Sequence, residues 1–172
     1  MAVKSSFKNM TLCLFAICLV CSGLLAGVYA LTKDLISAAE KAKDEAAIKE
    51  VLPPYAKIDT VKSTIPIGPD EYSYLLAYDE TGNTIGCVVD VSVGGFGGPI
   101  VMKVGLKVNH LTAEVIIWNV KVLKHSETPG LGAKCTEPAF ADQFREFDPY
   151  EKKLAVKKDG GDVDAITAST IT

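Results

Sequence analysis

A chain of 172 residues with an apolar fraction of 48% is long enough for one domain with a real core. Its formal net charge of −3, from 18 Lys and Arg against 21 Asp and Glu, and the lack of a basic patch interleaved with aromatics exclude nucleic acid as an expected partner. Cys87 and Cys135 have no second thiol or histidine at metal-ligand spacing, so no metal centre is expected.

Residues 1–9 precede an uncharged run from Met10 to Leu31, MTLCLFAICLVCSGLLAGVYAL. At 1.5 Å per residue such a run spans roughly the 30 Å of a bilayer core. Val28-Tyr29-Ala30 would also suit a signal peptidase, which prefers small residues at −3 and −1. The run exceeds the apolar region of an ordinary signal and passes unbroken into helix-forming sequence, which favours a retained transmembrane helix over residues 10–31. Lipid attachment at Cys21 is not expected, because Cys18-Leu19-Val20 precede it without a leucine at −3. Lys4 and Lys8 lie before the run, and Lys33, Lys41 and Lys43 after it, so the basic residues alone do not orient the helix.

Thr32 to Leu52 is rich in Ala, Lys and Glu, and Pro53-Pro54 ends it, so residues 32–52 read as a solvated helical stalk. Pro53 to Pro69 reads as a link. Two β-like runs follow, Tyr72–Tyr78 and Thr84–Val93, joined by the turn residues Asp79-Glu80-Thr81-Gly82-Asn83 as a hairpin. Ile100–Val108 and Ala113–Leu123, the latter carrying Trp118, complete an expected antiparallel sheet. A short helix is expected from Thr136, with Thr136 as cap and Pro138 at an early position. A last run, Lys153–Lys158, leads through Asp159-Gly160-Gly161 to the chain end.

Three stretches carry potential chemistry. Gly94-Gly95-Phe96-Gly97-Gly98-Pro99 admits close approach of a ligand to backbone N–H groups, or serves simply as a wide hairpin turn. It is not a dinucleotide fingerprint, because a strand follows it where a helix would be needed. His125-Ser126-Glu127-Thr128-Pro129-Gly130-Leu131-Gly132 stands at a strand end, where Pro129-Gly130 makes a tight turn and polar groups are presented. At the chain end, Asp164 is followed at +3, +5, +6 and +8 by the hydroxyls of Thr167, Ser169, Thr170 and Thr172. Taken alone, that segment reads as a hydroxyl-rich tail.

The HSETPGLG run, the upstream GFGGPI run and the terminal DAITAST run stand in the order and approximate spacing of the FMN-binding domain family of RnfG (RsxG) and NqrC. Its members are subunits of ion-translocating membrane electron-transport complexes. The resemblance covers essentially the whole chain and is nearer to RnfG in layout. It implies an α+β fold, with one N-terminal transmembrane helix followed by an extracytoplasmic FMN-binding domain over residues 53–172, built on an antiparallel sheet with flanking helices. Residues 1–9 would then be cytoplasmic and the protein single-pass in the cell (inner) membrane.

In the family, FMN is joined through its phosphate to the last threonine of D-x-x-[S/T]-G-A-T. Asp164 matches the aspartate, Thr167 the first hydroxyl, Ala168 the glycine, Ser169 the alanine and Thr170 the acceptor. Ala168 and Ser169 depart from the pattern, small residue for small residue. The resemblance further implies that Glu127, Thr128, Gly130 and Leu131 line the flavin, with His125 beside them and Gly97-Gly98-Pro99 shaping the same cleft. Asp164 would serve the ApbE-type flavin transferase that installs the group. The implied function is electron transfer with the other Rnf subunits, in a complex coupling ferredoxin and NAD redox chemistry to Na⁺ or H⁺ movement. The relatives' pattern also implies that the chain continues past Thr172. The rival reading is a membrane-tethered extracytoplasmic binding or sensor domain without covalent flavin. Whether Cys87 and Cys135 pair stays open.

Overall fold

Good helix formers without an interrupting proline give one helix, α1 (Phe7–Val51), which stops where Pro53-Pro54 cannot continue it. The computed structural model describes residues 7–62, 73–109, 112 and 114–166, and the chain divides into two units, residues 1–42 and residues 43–172.

In the first unit α1 is long and apolar enough to cross a membrane, with a mean hydropathy of 2.4 over its most apolar 18 residues. Leu14, Phe15, Leu19, Leu24 and Leu25 are exposed, as lipid-facing side chains would be. The two threonine hydroxyls bond back to the helix: Thr11 Oγ1 donates to the Phe7 carbonyl at 2.9 Å and Thr32 Oγ1 to that of Val28 at 2.8 Å. Neither polar group would then face hydrocarbon unsatisfied.

The second unit holds five strands, β1 (Lys57–Lys62), β2 (Ser73–Tyr78), β3 (Thr84–Gly94), β4 (Pro99–Val108) and β5 (Val115–Lys124), antiparallel and in chain order. Four of them fall on the expected runs, although Tyr72 lies outside the described residues. Strand β1 falls where a link was expected; KIDTVK is an edge strand whose ladder forms only against β2. The β2–β3 turn closes on Asp79, whose Oδ1 accepts from the Thr81 hydroxyl at 2.7 Å and from the Thr81 and Asn83 N–H groups. The Thr81 hydroxyl and the Asn83 N–H hold this exposed carboxyl down at about 2.

The last turns of α1 are not solvated as expected. Ala47, Val51 and Leu52 are buried, and Val51 and Leu52 share a core with Ala77 and Val88, flanked by Ile48, Tyr55, Ile58, Leu75 and Ile85. One cross-strand row, Val88, Gly105 and Asn119, lies under this helix end. A Cβ on Gly105 would run into the Val51 carbonyl, so only glycine admits the approach. Asn119 Nδ2 donates to the Glu50 carbonyl at 3.1 Å, satisfying a helix C-terminal acceptor. The next row carries charge. Lys103, 2% exposed, pairs with Asp90 at 2.6 Å and with Asp44 of the helix at 3.0 Å, and Lys121 pairs with Glu50 at 2.9 Å.

Beyond β5 the chain forms a 3₁₀ turn (Gly132–Thr136), the short helix α2 (Pro138–Ala141) and a second 3₁₀ turn (Asp142–Phe144), all against β5. Pro138 opens α2 as expected, but Thr136 does not cap it. Thr136 already ends the preceding turn, its Oγ1 donating to the Ala133 carbonyl at 2.9 Å, and extended Glu137 takes the cap position without a side-chain bond. Phe147 then bridges Ile117 through two 2.9 Å hydrogen bonds, covering the β5 edge. The run Lys153–Lys158 forms no strand; it makes one bridge, Val156 to Val163, before a 3₁₀ turn (Lys157–Asp159) reverses it.

Candidate functional site

The loop between β3 and β4 and the loop after β5 meet at the same end of the sheet. Gly94 pairs with Pro99, and Gly95 N–H donates to the Gly98 carbonyl at 2.9 Å, so the glycine loop is a tight hairpin connection. Beneath it run Ser126 and Glu127. Gly97 N–H donates to Glu127 Oε1 at 2.9 Å, and a Cβ on Gly97 would strike the Ser126 carbonyl. Positions that Cβ atoms on Gly95 and Gly132 would need are taken by the Glu127 carboxylate. One carboxylate thus joins the two glycine-containing loops that sequence order had set about 30 residues apart.

Glu127 N–H in turn donates to His125 Nδ1 at 3.3 Å. From Thr128 to Leu131 the chain makes the expected Pro-Gly turn: Gly130 has φ of 77°, and the Thr128 carbonyl accepts from Leu131 N–H at 3.1 Å and Ala133 N–H at 3.2 Å. Thr128 and Gly130 are exposed on its rim. Leu131 is 42% and Phe96 77% exposed, so each of the two joined loops presents one large apolar side chain.

Below these loops a cleft of about 540 Å³ runs along β5, lined by Lys43, Lys121, Lys124, His125, Cys135 and Arg145 among others, with Glu50 and Asp142 as its acids. Lys43 Nζ bonds the Leu123 carbonyl. The balance is basic, which suits an anionic group. Cys135 is buried; burial, and next the Glu127 carboxylate, push its thiol above the ordinary range, so it stands neutral. Burial likewise pushes up the Cys87 thiol, and both cysteines are free. A second cleft, of about 570 Å³ between Pro53, Lys107, Asn109 and Ile116, lies at the opposite end of these strands.

Asp164 is exposed and held from two sides. Gln143, next to Asp142 of the cleft wall, accepts from Asp164 N–H at 2.6 Å through Oε1 and donates to its carbonyl at 3.3 Å through Nε2. Lys157 pairs with its carboxylate at 2.7 Å. Thr167, Ser169 and Thr170 lie outside the described residues. Thr170 follows Asp164 by six positions in the chain. The structure therefore brings Glu127, His125 and the glycine loop together and ties Asp164 to Gln143, the chain neighbour of Asp142 in the cleft wall. Sequence reasoning missed Gln143, Arg145, Lys121 and Lys124, which belong to no motif; the strand and turn carrying them give no sign of sharing one cleft.

Family models match both parts of the chain. The FMN-binding domain matches residues 95–172, and the RnfG N-terminal region matches residues 1–51. The G subunit of the ion-translocating oxidoreductase complex of Methanosarcina acetivorans is 35% identical over 89% of this chain and 79% of its own. That of Shewanella piezotolerans is 33% identical over 98% and 83%. The crystal structure of Shewanella oneidensis NqrC aligns with 64% of this chain and 56% of its own, at 21% identity and a TM-score of 0.43. The residues present fit FMN: an isoalloxazine ring needs apolar surface, which Phe96 and Leu131 offer, and a flavin phosphate needs cations, which the cleft supplies. With the N-terminal region and the FMN-binding domain in this order, and with identity of 35% spanning most of a relative, the chain belongs to the RnfG family, the G subunits of ion-translocating oxidoreductase complexes.

Proposed function

We propose that this chain carries FMN covalently, as a phosphodiester to the Thr170 hydroxyl, and passes electrons between other subunits of a membrane-bound Rnf complex. The observation that carries the reading is Asp164 tied to Gln143, the chain neighbour of Asp142 in the wall of a basic cleft, with a hydroxyl segment six residues on and two flavin-motif loops joined above the cleft. An ApbE-type transferase would use FAD as donor. The Thr170 oxygen bonds to the phosphorus on the riboflavin side, the pyrophosphate linkage breaks, AMP leaves, and the hydroxyl proton passes to base. Attachment turns flavin binding into an intramolecular event, so the ring surface need not enclose the flavin and stays open to exchange electrons.

Each residue then has a role. Thr128, Gly130 and Leu131 face the flavin, and Glu127 fixes their loop against the glycine loop. His125 borders the phosphate side. Thr167 and Ser169 flank the acceptor, and Asp164 serves the transferase. Residues 10–31 cross the membrane, residues 32–52 continue as helix, and residues 53–172 form the flavin domain outside the cytoplasm. There no cytosolic flavin pool could replace a lost cofactor, which is a physical reason for covalent attachment.

Purified after co-expression with the transferase, the wild-type chain should give a flavin-fluorescent band on a denaturing gel, and Thr170→Ala should give none. A colourless wild-type protein would favour a non-covalent binding or sensor domain. A fluorescent Thr170→Ala band would move the acceptor to Thr167, Ser169 or Thr172.

A further inference from the structure

We infer that Gln143 is a positioning residue for flavin attachment: it grips both backbone groups of Asp164 and so presents this first residue of the attachment motif to the transferase. The inference rests on the covalent-flavin reading above and extends it to a residue outside the motif.

The grip has the geometry of a peptide partner. The Gln143 carboxamide accepts from Asp164 N–H at 2.6 Å and donates to the Asp164 carbonyl at 3.3 Å, as a neighbouring strand would. Gln143 itself is well held. It is half-buried in the Asp142–Phe144 turn, which packs on β5, and the Phe144 ring meets Phe140 edge to face at 5.4 Å. The chain leading to Asp164 is knit by its own backbone: Lys153 N–H donates to the Asp162 carboxylate at 2.7 Å, Val163 N–H to the Ala155 carbonyl at 3.0 Å, and Lys157 N–H to the Val163 carbonyl at 2.9 Å. Val163 is buried. Asp164 is thus held through its N–H, its carbonyl and its carboxylate.

A transferase that recognises Asp164 must meet its backbone in one conformation, and the freedom lost there counts against binding. Fixing the first residue in advance lightens that cost by the freedom of about one residue, roughly a five- to thirtyfold effect on apparent affinity. The Lys157 pair is no substitute. Both partners are more than 60% exposed, so water screens the attraction, and it holds a carboxylate while leaving the backbone free.

The test is the rate of flavin attachment to the full chain in detergent, by purified transferase with FAD, read as in-gel fluorescence over a range of chain concentrations. For Gln143→Ala the KM for the chain should rise about five- to tenfold with kcat within twofold and the thermal midpoint unchanged. Gln143→Glu keeps the volume and one acceptor but loses the donor, and its KM should rise in the same direction. Lys157→Ala should stay within twofold of wild type. A Gln143→Ala chain modified with wild-type KM overturns the inference, as does a Lys157→Ala loss equal to that of Gln143→Ala. A Gln143→Ala loss matched by a core variant with an equal drop in thermal midpoint overturns it too. A wild-type chain that takes no flavin overturns the covalent reading itself, and this inference with it.

Discussion

Glu127 shows how one side chain replaces a stretch of secondary structure. Its carboxylate accepts from Gly97 N–H and fills the space that the missing Cβ atoms of Gly95 and Gly132 leave. A hydrogen bond to a charged acceptor contributes about 1.5–3 kcal/mol, and the half-exposure of Glu127 places this one at the lower end. Glu127→Ala should therefore lower unfolding free energy by about 1–2 kcal/mol in a urea titration, while Glu127→Gln, which keeps an acceptor, should cost under about 1 kcal/mol. The same carboxylate reinforces burial in holding the Cys135 thiol up. Removing its charge in Glu127→Gln should bring the Cys135 pKa down and speed alkylation of the native protein at mildly alkaline pH, measured by mass of the modified peptide.

Helix α1 and strand β4 meet through a glycine and a lysine. Gly105→Ala would push its methyl into the Val51 carbonyl, a backbone atom that cannot swing aside, and should cost about 3 kcal/mol. Gly94→Ala, which meets open space, should change stability by less than about 0.5 kcal/mol in the same denaturation series. Lys103 is the electrostatic counterpart. Burial works against its charge, but Asp90 and Asp44 together outweigh burial and raise the pKa above the ordinary lysine value. A group whose folded pKa is raised contributes stability fully below the unfolded pKa of about 10.4 and loses it as pH rises through the folded value. Wild type should thus lose stability above about pH 10 relative to Lys103→Met, which carries no such titration. At neutral pH Lys103→Met should be less stable by roughly 1–3 kcal/mol, below the loss for a fully buried pair because both carboxylates are about half exposed.

The two units differ in what solvent they suit. The full chain should partition into the detergent phase on cloud-point separation, and residues 43–172 alone into the aqueous phase, since the exposed apolar side chains of α1 leave with the first unit. Cutting further, to residue 53, removes Val51 and Leu52 from the core. Loss of two buried aliphatic side chains costs roughly 4–10 kcal/mol, comparable with the whole stability of a small domain. Circular dichroism melts should show a cooperative transition for residues 43–172 and none for residues 53–172.

Local patterns made much of this molecule legible. An uncharged run long enough for a bilayer, Pro53-Pro54, the turn residues of Asp79–Asn83 and the β-branched runs of β3, β4 and β5 act on neighbouring residues, so the α+β order and the strand boundaries follow from the chain read in line. The motifs HSETPGLG and GFGGPI likewise pointed to one end of the sheet. Tertiary structure alone decided that β1 is a strand, that the last turns of α1 are core, that Glu127 ties the two loops, and that Gln143 holds Asp164. Each of these joins residues far apart in the chain, such as Asn119 to the Glu50 carbonyl across 69 positions and Lys43 to the Leu123 carbonyl across 80. A side chain's local sequence carries no trace of such a partner, because the free energy of the contact exists only after the sheet has brought the two segments within hydrogen-bonding reach.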